Sequence, residues 1–313
     1  MKIFYIVAGV ILTISVLFFL LCYVCYRITF YSNRKKPIDT DALPLPHGEI
    51  YQPFYGVMTE WMLKTRSLSH ELISTKSFDG LTLYGKYYEC KKGAPIEIMF
   101  HGYRGGSERD LCGGVLRAFK LQRNVLVIDQ RASGLSQGKV ITFGINESKD
   151  CISWVNYAVE RFGKDVKLLL TGISMGASTV LIASAKELPE NVVSVVADCG
   201  FTSAKAIIKK CIKDMHLPPT LLYPFIKLGG KIFGKFDLEE TSPIEAMKNC
   251  KVPVIFIHGD DDAFVPYCMS KENYHACVSK KELLIVKGAG HGLSYPVAPD
   301  EYVACLNDFY PTV

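Results

Sequence analysis

The pentapeptide Gly172-Ile173-Ser174-Met175-Gly176 limits what this chain can fold into more than any other short stretch of it. An apolar run, Val166 to Leu170, precedes it and a small-residue helical stretch follows, so the serine falls where a strand turns straight into a helix. So sharp a turn brings the two backbones together, and the positions two before and two after the serine must be glycine-sized. The strain of the turn exposes Oγ. Taken alone the pattern is weak: at about 7% glycine it arises by chance in roughly one chain in ten of this length.

Three further segments give it context, each a strand-like run leading into a polar turn. Ile96 to Phe100 runs into His101-Gly102-Tyr103, and Val252 to Ile257 runs into His258-Gly259-Asp260-Asp261-Asp262-Ala263-Phe264-Val265-Pro266. Glu282 to Val286 is followed by Gly288-Ala289-Gly290-His291-Gly292. The chain order is serine, acid, histidine. With these motifs in that order, residues 70 to 311 resemble the α/β-hydrolases of the esterase, lipase and serine-aminopeptidase-like group. The resemblance implies an α/β fold with a mostly parallel central sheet, helices on both faces and a helical cap insertion. It also implies catalytic roles for Ser174, for Asp262 at the acid position of an HGxxDxxVP segment, and for His291 as general base. The oxyanion donors it implies are the backbone N–H groups of Tyr103 and Met175.

Serine needs a base within hydrogen-bond reach, histidine can take and return a proton near neutral pH, and a buried carboxylate holds the imidazole in the right tautomer. Only His275 and His291 follow the acid. His275 lies in a helix-like stretch, Ser270 to Val278, whereas His291 sits in a glycine-rich loop after a strand. His101 and His258 read as turn-shaping residues, and His47 and His70 precede the core. Spacing alone leaves three consecutive aspartates open, the family pattern selects Asp262, and Asp198, after the Val192 to Ala197 strand, is the rival acid.

From Ile3 to Tyr26 run 24 residues without a charge. As a helix they would extend about 36 Å, against a hydrocarbon core of about 30 Å. The run reads as one transmembrane helix, because a cleaved signal would be shorter and would end in small residues instead of Leu20 to Tyr26. Tyr23, Tyr26, Phe30 and Tyr31 fall where an interfacial aromatic belt would lie. Lys2 stands on one side and Arg27, Arg34, Lys35 and Lys36 on the other, which favours a cytoplasmic catalytic domain, with export as the alternative. Nine of the eleven cysteines follow the span, an odd number with no CxxC pair, and read as reduced thiols.

The chain thus divides into an anchor with a basic flank (1–36), a linker and leading helix (37–70) and a hydrolase domain (71–313) with its cap at about 201–250. Pro37, Pro44, Pro46 and Pro53 mark an extended start to the second segment, which becomes helical around Tyr55 to Ser67. Leu72 to Phe78, Asp79-Gly80 and Leu81 to Glu89 read as a hairpin. Gln130 to Gly138 resembles the family's DxRGxGxSxG loop, a structural brace. In the cap, Ile208, Cys211, Ile212 and Met215 recur at helical spacing, as do Leu222, Phe225, Ile226 and Phe233. Between Ala204 and Phe236 seven lysines face one acid, Asp214. They read either as a solvated face or as a cap that lies on an anionic membrane and admits acyl chains.

An aminopeptidase must pair its substrate's ammonium with a carboxylate, and this cap is nearly free of them, so carboxylic ester hydrolysis is the expected reaction. A small-molecule or lipid-like ester is the expected substrate, with a serine peptidase as the alternative. The net charge of +5 comes partly from the basic flank and the cap and calls for no nucleic-acid partner. With no P-loop, no dinucleotide fingerprint and no clustered ligand set, neither cofactor nor metal is expected. A noncatalytic ligand-binding or partner-binding protein on the same fold is the reading from a different class.

Overall fold

A computed structural model describes residues 1–33 and 42–310. Its single sheet contains β1 (Glu71–Lys76), β2 (Thr82–Tyr88), β3 (Ile96–Phe100), β4 (Asn124–Asp129), β5 (Leu168–Ile173), β6 (Val192–Asp198), β7 (Val254–Gly259) and β8 (Lys281–Val286). The strand order is β1-β2-β4-β3-β5-β6-β7-β8. The hairpin of β1 and β2 turns at Gly80, whose φ of 88° is open to glycine, and β2 lies antiparallel on β4. From β4 to β8 every pairing is parallel.

Parallel strands need helical crossovers, and the helices cover both faces. For that reason β3 and β7 are buried along their whole length. On one face lie α3 (Ser107–Lys120) and α11 (Pro299–Phe309), joined by α2 (Tyr55–Ser67) and α10 (Ser294–Val297). The other face carries α4 (Ile145–Phe162), α5 (Met175–Ala183), α8 (Pro243–Met247) and α9 (Cys268–Ala276) around Trp154, Phe100 and Phe256. This is the α/β-hydrolase fold.

The leading segment forms a 3-10 helix, Glu49–Phe54, that runs into α2. The basic cluster Arg34, Lys35 and Lys36, with Pro37, lies outside the described residues. The remaining Arg27 stacks on the Tyr31 ring at 3.7 Å.

The N-terminal apolar run is one helix, α1 (Lys2–Thr29). From Phe18 onward it lies along the cap, which consists of α6 (Ala204–Asp214) and α7 (Pro219–Phe233). Phe18 meets Phe225, Tyr26 meets Phe233 and Phe30 meets Phe236, with ring centroids 5.4, 5.8 and 5.1 Å apart, so the two helices run parallel and in step. A Cβ on Gly229 would lie 2.4 Å from the Cys22 carbonyl oxygen, so glycine is what permits this approach.

The cap is less basic than the stretch from Ala204 to Phe236 implies. Lys205 and Lys227 pair with Glu239, just beyond that stretch, at 3.3 and 2.6 Å, and Lys210 pairs with Asp214 at 2.6 Å.

Candidate active site

Ser174 has a φ of 56°, in the left-handed region, at the junction of β5 and α5. A Cβ on Gly172 would lie 2.1 Å from the backbone of Gly176, and one on Gly176 would lie 2.0 Å from the carbonyl oxygen of Phe100. Both glycines are therefore required by the contact of strand, turn and helix. The amide of Ser174 donates to the Asp198 carbonyl at 2.8 Å, which ties the turn to the end of β6.

Ser174 Oγ lies 3.0 Å from His291 Nε2, and His291 Nδ1 lies 2.6 Å from Asp262 Oδ2. A carboxylate oxygen can only accept, so Nδ1 carries the proton and Nε2 is free to accept from the serine hydroxyl. A hydroxyl facing a correctly tautomerised imidazole that is held by a buried carboxylate is the arrangement that makes serine nucleophilic.

The environment of Asp262 keeps that carboxylate charged. Burial opposes ionisation, yet hydrogen bonds from His258 and His291 and from the backbone N–H of Val265 outweigh it and hold the carboxyl well below the usual carboxylate range. The amides of Phe264 and Val265 donate to Oδ1 at 2.9 and 2.8 Å. His258 Nε2 approaches Oδ2 at 3.1 Å and the Val265 carbonyl at 2.9 Å. Since that carbonyl can only accept, His258 bears its proton on Nε2, and its Nδ1 accepts from Ser270 Oγ at 2.7 Å. Reading His258 as a turn-shaping residue missed this second imidazole on the same oxygen. Its place four residues before Asp262 was the available signal.

The other aspartates do not bond to His291, although Asp198 lines the same cavity as Ser174. Asp260 accepts from the Gly288 amide at 2.6 Å, and Asp261 is exposed. Asp198 accepts from Ser294 Oγ at 3.0 Å, and burial pushes its carboxyl up toward the protonated form. His275 is exposed on α9, away from this cluster.

Met175 opens α5, so its amide is one of the helix's unpaired N-terminal donors at the positive end of the dipole. Tyr103 lies on the turn after β3, which packs on the serine: a Cβ on Gly102 would sit 3.4 Å from Ser174 Cβ. Asp110 Oδ2 accepts from the Gly102 amide at 3.0 Å. His101 donates from Nδ1 to the Gly102 carbonyl at 2.8 Å and accepts the Gln130 amide on Nε2 at 3.2 Å. Nothing in the local sequence marked Asp110.

Donor atoms of Cys199, Asp262 and His291 lie within 4.8 Å of one another. The set suits a metal poorly. Burial and two nearby carboxylates push the Cys199 thiol far up, while four N–H donors already occupy Asp262.

A cavity of about 520 Å³ opens on Ser174 and His291. Its walls come from the leading segment and from α2, α3 and α10, with Ile50, Trp61, Leu111 and Tyr295 among them. The sequence offered a cap that admits acyl chains to the serine. Instead α6 and α7 pack beside Met175 and Tyr103 as the flank of the site, and no described residue of 201–250 lines this cavity.

Residues 141–312 match the prolyl oligopeptidase family of peptidases, a stretch that contains Ser174, Asp262 and His291. The chain is 27% identical over 187 residues, 59% of its length, to the protein YqkD of Bacillus subtilis. It is 28% identical over 210 residues, 65% of its length, to the protein bem46 of Schizosaccharomyces pombe. It spans 61% and 64% of the lengths of these two relatives. The esterase Pf2001 of Pyrococcus furiosus superposes with a TM-score of 0.66 at 22% identity, covering 89% of this chain and 97% of that one. With the family matched over more than half of its residues, the chain belongs to the prolyl oligopeptidase family and is a hydrolase-type protein of the α/β-hydrolase fold.

Proposed function

We propose that this protein is a membrane-anchored serine hydrolase that cleaves carboxylic esters through an acyl-enzyme on Ser174. The observation that carries the reading is the hydrogen-bonded relay from Ser174 Oγ through His291 to Asp262, with links of 3.0 and 2.6 Å. Oγ attacks the ester carbonyl carbon while His291 Nε2 takes its proton. The oxyanion that forms is met by the amides of Tyr103 and Met175. Collapse breaks the bond to the alkoxy oxygen, which leaves as the alcohol with the proton from His291. Water, deprotonated by His291, then attacks the acyl-serine, the acid departs and Ser174 regains its proton.

Esters are favoured over peptides because the carboxylates around the site are mostly engaged. Asp110 pairs with Arg109 at 2.7 Å and with the Gly102 amide, and Asp198 accepts from Ser294 Oγ at 3.0 Å. One observation favours the peptidase alternative: Glu49 lies exposed in the cavity wall, where it could receive an ammonium. Helix α1, uncharged from Ile3 to Tyr26, is read as a single membrane span with the domain on the cytoplasmic side.

Full-length protein in detergent or nanodiscs should turn over p-nitrophenyl esters faster than aminoacyl p-nitroanilides. The reverse order, with anilide cleavage lost in Glu49→Gln, would make it an aminopeptidase.

A further inference from the structure

The segment ahead of the first strand builds one wall of the cavity at Ser174, and the character of that cavity changes from mouth to end. At the mouth, Ile50 of the 3-10 helix is 52% exposed and its Cδ1 would lie 3.5 Å from a Cβ on Gly290, beside His291. Further in, Met58 and Trp61 of α2 face Met99 of β3 and Leu111 of α3. Trp61 stacks on Tyr295 with centroids 5.1 Å apart, and it fits against α3 because residue 113 is glycine: a Cβ there would lie 2.5 Å from the indole. At the buried end the lining turns polar, with Arg117, Thr171, Asp198 and Tyr302 at 3%, 6%, 4% and 2% exposure. Arg117 is held there by Glu97 on β3 and by the Tyr302 hydroxyl at 3.3 Å.

Resting on the ester reading above, we propose that this cavity is the acyl pocket of the enzyme and that its substrates are esters of medium-chain acids. A leaving group must reach His291 Nε2 and then escape, which places it at the mouth. The acyl group stays bound to Ser174 until water releases it, which suits the mostly apolar interior. Each buried methylene gains about 0.8 kcal/mol, so chain length should dominate selectivity until the chain meets the Arg117 and Tyr302 end. The volume of about 520 Å³ is within the range of pockets that enclose small ligands and is large enough for a reacting ester head with a medium-length acyl chain.

The test is a kinetic series of p-nitrophenyl acetate, butyrate, octanoate and palmitate, with an alkyl acetate series of matching alcohol lengths. Octanoate should exceed acetate in kcat/KM by at least about tenfold, and the alcohol series should be nearly flat. Met58→Trp, which fills the channel, should lower the ratio of octanoate to acetate kcat/KM about tenfold, while Trp61→Ala should move the optimum toward palmitate. Labelling of Ser174 by a fluorophosphonate and the melting temperature report whether each variant is folded. Active protein with a flat acyl series, or with the length dependence in the alcohol, would overturn the proposal.

A binding measurement separates this proposal from the hydrolase reading. Ser174→Ala protein, which cannot turn over, should bind octanoate with a change in indole emission that Trp61→Phe abolishes. No such change would overturn the acyl pocket whether or not the native protein hydrolyses esters. Binding without any ester turnover by native protein would sink the hydrolase reading and leave the pocket standing.

Discussion

Tyr103 donates its hydroxyl to the backbone carbonyl of Thr29 at 2.7 Å, joining the turn beside Ser174 to the last residue of the apolar helix. Arg104, at a φ of 49°, adds bonds to the carbonyls of Ile28 and Tyr31 at 2.7 and 3.2 Å. The carbonyls of Ile28 and Thr29 are among those that a helix end leaves unpaired, and Tyr31 lies just beyond that end. The apolar helix is thus tied directly to the turn that carries Tyr103. Removing residues 1 to 33 should expose Phe233, Phe236 and Met175 and lower kcat more than it raises KM. In the full chain, Tyr103→Phe, which deletes one hydrogen bond of about 0.5–1.5 kcal/mol, should reduce kcat roughly two- to tenfold. Steady-state kinetics on an activated ester checks both. A truncated protein with native kcat would show that α1 is only a tether.

Asp262 and Asp198 should behave oppositely on conversion to asparagine. The amide at Asp262 can no longer enforce the His291 tautomer, and kcat should fall by about 10⁴-fold. Asp198→Asn keeps an acceptor for Ser294 and should retain most activity.

Stability should also separate the two. The folded-state pKa of Asp198 is raised, so the native state binds that proton more tightly than the unfolded chain, and its contribution to stability declines as pH rises above about 4. Asp198→Asn should therefore raise the melting temperature more at pH 8 than at pH 4. Asp262, with a depressed pKa, has the opposite sign: its contribution is present above about pH 4 and is lost as pH falls through the folded pKa. Melting curves from about pH 8 to pH 4 test the first sign, and their extension into more acidic solution tests the second.

Gly172→Ala and Gly176→Ala should each abolish soluble protein or cost several kcal/mol, because the new methyl would meet backbone at about 2 Å instead of a side chain that could move. Soluble yield and thermal melts measure this. Gly80→Ala, where open space surrounds the missing Cβ, should cost only the strain of a positive φ.

These contrasts indicate what could be read from the chain beforehand. The serine turn, the glycines around it and the loop carrying His291 were legible because neighbours in sequence impose their chemistry. The parallel strands were legible as unbroken apolar runs. Contacts that depend on packing at a distance were not. Tyr103 reaches Thr29 across 74 residues, and Trp61 finds its place only because Gly113 lacks a side chain. The cap followed its apolar spacing into two helices, but spacing cannot say which flank of the serine they cover. Likewise the lysine excess ignored Glu239, which folding brings to Lys205 and Lys227.

Cys268 is exposed at the start of α9 and is placed to test the proposed membrane topology. A membrane-impermeant maleimide should leave it unmodified in intact cells and modify it after permeabilisation. Carbonate washing should leave the full-length chain in the membrane. Labelling in intact cells would place the domain outside, and release of a shortened soluble form would identify a cleaved signal.

The covalent step at Ser174 is the claim on which the account depends. Incubating the folded full-length protein with a fluorophosphonate and mapping the adduct by peptide mass spectrometry should give one modified residue, Ser174. Ser174→Ala should give none, and His291→Ala should slow modification by several orders of magnitude, since base and nucleophile act as a unit. Folded native protein that stays unmodified, or is modified equally fast without His291, would contradict an activated serine at this site.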